Sequence, residues 1–297
     1  MSVICFGSLN IDYAYSVDHI VIPGETISSY DREVFAGGKG LNQSIALARA
    51  GAVVSHAGII GEGGAFLKDM LVENGVDASL LKESSEMNGH TFIQVDKNGQ
   101  NSIVLYGGTN QMISQDYIDT VLSYFGKGDV ILLQNEVNML KEIIEGAYER
   151  NVYIVLNPSP FDHKILECDL NKVDLFVLNE IEGSQISGAD SNDPRGILDR
   201  LRESFPKTDV LLTLGKRGSY YMSAQTGERF FQDIVSCKEV DTTAAGDTYT
   251  GYFLNGLING DDISVCMKKA ATASSITVSR PGAAPSIPCF SEVEELL

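Results

Sequence analysis

Short aliphatic and β-branched runs alternate along this chain with longer stretches whose apolar positions recur every three to four residues. The short runs, bounded by turn residues, predict buried strands at residues 3–6, 53–57, 130–133, 152–156, 175–178 and 210–214. The helical spacing predicts helices over 42–49, 66–73, 139–149, 194–204 and 246–257, with an alanine-rich helix around Ala270-Ala271-Thr272-Ala273. Strand and helix in alternation imply βαβ units, hence an α/β fold: a mostly parallel sheet with helices on both faces, in three layers. No linker, low-complexity tract or fixed-period repeat interrupts the pattern, so residues 1–297 are expected to form a single domain.

Two segments depart from it. Residues 11–34 carry period-two stretches and no helix. Thr91–Val95 and Ser102–Tyr106 flank Lys97-Asn98-Gly99-Gln100, and Asn-Gly between alternating runs signals a hairpin. Residues of about 11–34 and 90–108 are therefore expected to form a small β-sheet outside the main one, a lid over a site near Asn10 and Asp12. A sheet of few strands needs a packing partner, which points to a homodimer through it.

Composition narrows the function. The net charge of −18 excludes a broad basic face for nucleic acid. It also repels free nucleotide, so a nucleotide site must be local and screened by a divalent metal. Cys5, Cys168, Cys237, Cys266 and Cys289 form no C-x-x-C pair, which argues against a zinc site or a disulfide framework. No apolar run is long enough to span a bilayer and no basic region leads into one, so a cytoplasmic protein without membrane attachment is expected.

The densest chemistry lies in Asp241-Thr242-Thr243-Ala244-Ala245-Gly246-Asp247-Thr248. Small residues at a helix start leave unpaired N–H groups open to an anion, phosphate above all. Asp247 beside that anion makes sense as a base taking a proton from an attacking hydroxyl; an aspartate placed there only for the helix dipole accounts for it equally well. Gly37-Gly38-Lys39-Gly40-Leu41-Asn42-Gln43 is not a Walker A loop, but it opens a helix with bare backbone and amide side chains, suited to hydroxyl-rich ligands. Asn10 and Asp12 point the same way if the chain is extended, and a carboxylate accepts two hydrogen bonds from a sugar diol; an Asx turn is the alternative. Gly58-Ile59-Ile60-Gly61-Glu62-Gly63-Gly64 does not fit the dinucleotide fingerprint, and retention of Asp247 argues against a catalytically silent sugar binder.

Taken together the motifs resemble those of the PfkB sugar kinases, in particular their ribokinase-like branch. The glycine segment at 37–43 is similar to the first family signature and 241–248 to the second. Leu156-Asn157-Pro158-Ser159-Pro160, Leu178-Asn179-Glu180-Ile181-Glu182, Thr213-Leu214-Gly215-Lys216-Arg217-Gly218 and Ser279-Arg280-Pro281-Gly282-Ala283-Ala284-Pro285-Ser286 resemble the motifs between and after them. The resemblance implies a ribokinase-like fold and ATP-dependent phosphorylation of a primary hydroxyl of ribose, or of another small acceptor such as 2-deoxyribose, a ketose or a nucleoside. It implies Asp247 as base and the amides of Ala244, Ala245, Gly246 and Asp247 as anion hole. Asn10, Asp12, Gly38, Lys39, Asn42 and Glu136 would contact the sugar. Asn179, Thr213, Gly215 and Gly218 would serve the nucleotide, with Glu182 reaching Mg²⁺ through water. Asp241, Thr243, Thr277, Arg280, Gly282 and Ser286 would hold K⁺, mostly through carbonyl oxygens.

Overall fold

The computed structural model describes residues 2–297. The chain opens with β1 (Val3–Phe6), β2 (Asn10–Ser16), β3 (Asp31–Gly37), α1 (Lys39–Arg49), β4 (Val54–Ala57), β5 (Ile59–Glu62) and α2 (Ala65–Glu73). It continues through β6 (Lys82–Met87), β7 (His90–Val95), β8 (Asn101–Tyr106), α3 (Gln115–Leu122), β9 (Val130–Gln134), α4 (Leu140–Glu149), β10 (Tyr153–Asn157) and β11 (Leu175–Asn179). The last third holds α5 (Glu180–Ser187), α6 (Pro194–Ser204), β12 (Asp209–Thr213), β13 (Ser219–Met222), β14 (Arg229–Gln232), α7 (Ala245–Asn259), α8 (Ile263–Val278) and α9 (Phe290–Glu294).

Eight strands form the central sheet in the order β14-β13-β12-β11-β10-β9-β1-β4, parallel from β12 to β4 and antiparallel at β13 and β14. A strand covered on both faces must be apolar at every position. In β1, Val3 and Cys5 enter one core while Ile4 and Phe6 enter the other. Helices α1, α2, α7, α8 and α9 cover the first face and α3, α4 and α6 the second. Among the described residues no helix is long and apolar enough to cross a membrane.

The pattern of apolar runs did not reveal β13 and β14, whose four residues each mix polar and apolar types. It also did not reveal α5, which depends on a terminal capping box rather than on an apolar stripe. Helix α1 begins at Lys39, three residues before the predicted start, because Gly38 turns the chain at φ 94°.

A separate four-stranded sheet, ordered β3-β2-β7-β8, has β2 parallel to β7 and its other pairs antiparallel. Its strands reach Asn10 and Gly37 at the end nearest the main sheet. The Asn98-Gly99 turn closes the β7–β8 hairpin with Gly99 at φ 77° and Asp96 N–H donating to Gln100 O at 2.9 Å.

The parallel order fixes where a ligand can sit. In an open α/β sheet the crevice beyond the carboxyl ends of the strands is the usual site. Pairing sets Gln134 beside Asn157 and Asn179 beside Thr213 along that edge.

Candidate active site

Helices α1 and α7 start side by side at this edge. Asn42 and Gln43 meet Asp247, and one turn later Ala46 and Leu47 meet Gly251, so the two helices run in the same direction. A Cβ at Gly251 would lie 2.5 Å from the Cβ of Ala46, so only glycine permits this approach. Both positive dipole ends therefore face the same cleft.

The chain enters α7 through Ala244 at φ 60° and ψ 7°. This left-handed conformation costs about 1–2 kcal/mol for a residue with a Cβ. The first helical bond is made by Thr248 N–H to Ala244 O at 2.8 Å, so the amides of Gly246 and Asp247 precede it. Ala245 N–H instead donates to Thr242 O at 3.3 Å, a bond an incoming anion has to compete with. Asp247 is buried; its Oδ2 accepts from Asn42 Nδ2 at 3.1 Å and its Oδ1 from Gln43 Nε2 at 2.9 Å. Asn42 Oδ1 is a buried acceptor left without a protein donor, as a ligand hydroxyl would require.

Opposite Asp247 lie the residues of β2 and the start of α1. Gly38 combines φ 94° with backbone so close that a Cβ would stand 3.0 Å from Asn10 N and Ser8 O. Lys39 N–H donates to Glu136 Oε2 at 2.9 Å, and the Ser8 hydroxyl donates to the same oxygen. Burial pushes the Glu136 carboxyl above its ordinary range against the pull of Lys39. Burial opposes the charge on Lys39, but Asp247, Glu136 and Glu182 outweigh it and hold its ammonium above the ordinary lysine value. One cation thus serves three carboxylates drawn from both ends of the cleft.

Asp12 accepts from the Thr91 hydroxyl at 2.6 Å, and a Cβ on Gly37 would overlap its carboxylate. Burial raises the Asp12 carboxyl to about 6; the Thr91 bond opposes this and the charge of Glu136 adds to it. Asn10 is buried, with Oδ1 accepting from Asn110 Nδ2 at 2.7 Å.

On the other side of α7, Thr213, Gly215, Gly218, Ala245 and Gly246 line one cavity of about 510 Å³ with Ile234, Val235, Ala271 and Val278. Gly218, at φ 85°, sits where a Cβ would overlap Gln232 O. Asn179 neighbours Thr213 in the sheet but does not line the cavity. It caps α5: Asn179 Oδ1 accepts from Glu182 N–H at 2.9 Å, and buried Glu182 Oε2 accepts from Asn179 N–H at 3.0 Å. A larger cavity of about 720 Å³, beside Val130, Tyr153 and Asp174, lies at the opposite ends of the strands and holds none of these residues.

Asp241 joins two loops: Oδ1 accepts from Thr243 N–H at 2.9 Å and Oγ1 at 2.6 Å, and Oδ2 from Gly282 N–H at 2.9 Å. Thr277 Oγ1 bonds Thr248 Oγ1 at 2.9 Å, Arg280 turns its guanidinium to Glu292 at 2.6 Å, and the Ser286 hydroxyl donates to Ala283 O at 2.7 Å. No group of three or more His, Cys, Asp or Glu among the described residues could hold a metal ion.

Gln43 and Asn157 lie inside motifs that give them no role, and nothing in the sequence marks Ser8, Thr91 or Asn110 as part of this cleft. Lone polar residues in strands and turns gave no signal for these.

Residues 1–289 match the family described as pfkB family carbohydrate kinase. A ribokinase of Haemophilus influenzae is 32% identical to this chain, covering 98% of it and 96% of the relative. Among solved structures, a ribokinase from Cryptococcus neoformans var. grubii in complex with ADP superposes with a TM-score of 0.87, 32% identity and 99% coverage of both chains. Arabidopsis thaliana ribokinase complexed with ribose and ATP gives a TM-score of 0.85 at 27% identity, covering 99% of this chain and 97% of that one.

Proposed function

Because the chain belongs to the pfkB family of carbohydrate kinases, we propose that it transfers the γ-phosphoryl group of ATP to the primary hydroxyl of ribose, giving ribose 5-phosphate and ADP. The observation that carries this reading is the place of Asp247. It stands at the start of α7 between the 510 Å³ cavity and the polar group formed by Asn42, Lys39 and Glu136. The full-length similarity to ribokinases supports ribose as acceptor and ATP as donor.

In this reading the nucleotide occupies the cavity with its γ-phosphate over the Gly246 and Asp247 amides, whose unpaired N–H groups offset charge on the moving phosphoryl. Asp12, Asn10, Asn42, Gly38, Lys39 and Glu136 hold the sugar with its primary hydroxyl toward Asp247. As that oxygen bonds phosphorus, its O–H bond breaks and the proton passes to Asp247, while the bond from the γ-phosphorus to the bridging oxygen breaks and ADP leaves.

Mg²⁺ fits as a companion of the nucleotide, since no carboxylate cage is present among the described residues; phosphates would hold it, Glu182 would reach it through water, and it supplies charge neutralisation. Carbonyls of the loops tied by Asp241 suit K⁺, with Thr243, Thr277, Arg280, Gly282 and Ser286 as its neighbours. The small sheet acts as a lid that excludes water. Its face away from Asp12 exposes Val34, Phe92, Val104 and Tyr106 and accepts a second copy of the chain.

Initial rates with ATP and a panel of ribose, 2-deoxyribose, fructose and adenosine test the assignment. Ribose is expected to give the highest kcat/KM. No turnover of ribose together with turnover of another acceptor would overturn it.

A further inference from the structure

Gln43 is fully buried, and the hydrogen bonds around it run in one direction. Its Nε2 donates to Asp247 Oδ1 at 2.9 Å and to Asn157 Oδ1 at 2.9 Å. Its Oε1 accepts from Gln134 Nε2 at 2.6 Å. Asn157 Nδ2 in turn donates to the backbone carbonyl of Val177 at 2.9 Å. A carbonyl can only accept. The Val177 carbonyl therefore forces Asn157 to present its N–H₂ to β11 and its oxygen to Gln43. Gln43 must answer with an N–H, which leaves its second N–H for Asp247. Asn42 supplies the other donor, at 3.1 Å. Each carboxylate oxygen of Asp247 thus faces one N–H and keeps a lone pair.

We propose that Gln43 and Asn157 are positioning residues for Asp247. They form an amide relay, polarised by the β11 backbone, that presents only donors to the carboxylate and aims its remaining lone pairs at the acceptor hydroxyl. This rests on Asp247 being the base of the kinase reaction. Because the relay begins at a main-chain carbonyl, side-chain rotation cannot reverse it, and the base keeps its orientation through each turnover.

Gln43→Glu reverses one link without changing its length, setting a second carboxylate against Asp247. Two adjacent carboxylates share a proton, which moves their titration upward. Lys39 on α1, Glu136 after β9, Glu182 on α5 and Cys5 on β1 share this cleft and stay unchanged in every variant. The acid limb of the kcat–pH profile is expected to rise by about one pH unit or more, with kcat near pH 7 lower and sugar KM little changed. Gln43→Met, of similar length but apolar, should lower kcat about 10- to 100-fold and move the limb upward by less than Gln43→Glu does, since it removes one donor from Asp247 without adding a second carboxylate. Asn157→Leu, which does not touch Asp247, should lower kcat with sugar KM retained.

Melting reads the contact without turnover. Gln43→Glu should lower Tm more at pH 8 than at pH 5, and adding Asp247→Asn should remove that difference, because an amide N–H then faces the new carboxylate. Equal loss at both pH values, or a difference that survives Asp247→Asn, overturns the relay. So does an acid limb that stays in place while the protein remains folded. Failure to phosphorylate ribose would overturn only the acceptor assignment, since the profile can be recorded on any sugar that turns over and the melting cycle needs none.

Discussion

Asp12→Asn should make this protein more stable at neutral pH while weakening its hold on the sugar. Burial holds the Asp12 carboxyl at about 6 in the folded chain, against 3.8 for the free group. Between those values the folded state binds more protons at this site than the unfolded state does, so stability falls as pH rises through the window. Above about pH 6 the full deficit is present, of the order of 3 kcal/mol at about 1.4 kcal/mol per pKa unit. Asparagine is nearly isosteric and carries no charge to desolvate. Its amide oxygen still accepts from the Thr91 hydroxyl, and the missing side chain of Gly37 leaves room for its amide nitrogen. For a chain of this size the gain corresponds to a rise in Tm of roughly 5–10 °C. Differential scanning fluorimetry of both proteins at pH 4 and pH 7.5 is the assay. The variant should melt higher at pH 7.5 and close to wild type at pH 4. A variant that melts lower at pH 7.5, or that gains equally at both values, would refute the argument that the ionised carboxylate is the source of strain. In the same samples sugar KM should rise, because a neutral amide is a weaker acceptor for two hydroxyls.

Further tests address the rest of the cleft. Asp247→Ala should lower kcat by about 10²–10⁴-fold with little change in sugar affinity, the range for loss of a general base; coupled detection of ADP measures it, and an unchanged kcat would remove the base assignment. Gly38→Ala should destabilise the fold by about 1–3 kcal/mol, since alanine resists the positive φ and its Cβ would press on Asn10 and Ser8; denaturant unfolding measures this, and a neutral result would contradict the geometry of the α1 start. Activity should disappear when Mg²⁺ is chelated and fall several-fold when K⁺ is replaced by Na⁺. Equal rates in the two alkali salts would dismiss the cation role of the Asp241 and Gly282 loops.

The two helix starts that frame the candidate site were legible because their signals are local. A glycine before Lys39 and small residues before Asp247 mark two helix starts, and the need for backbone approach restricts those positions to few residue types. The same holds for the buried strands, whose β-branched runs report burial on both faces whatever their partners. The edge pair β13–β14 was not legible, because four-residue strands of mixed polarity take their conformation from the neighbour they pair with.

What the order of residues determined by itself was the set of turns, helix starts and apolar runs, since each follows from preferences of a few adjacent residues. The relation between them came only with the tertiary structure. Gln43 stands 91 residues from Gln134 and 114 from Asn157, which is itself 20 residues from Val177, and only the parallel pairing of β9, β10 and β11 beneath α1 joins them. Likewise, Asp12 carries no sign of a raised titration in its neighbours Ile11 and Tyr13. That property comes from burial beside Glu136, more than a hundred residues away, because desolvation and charge act through space and not along the chain.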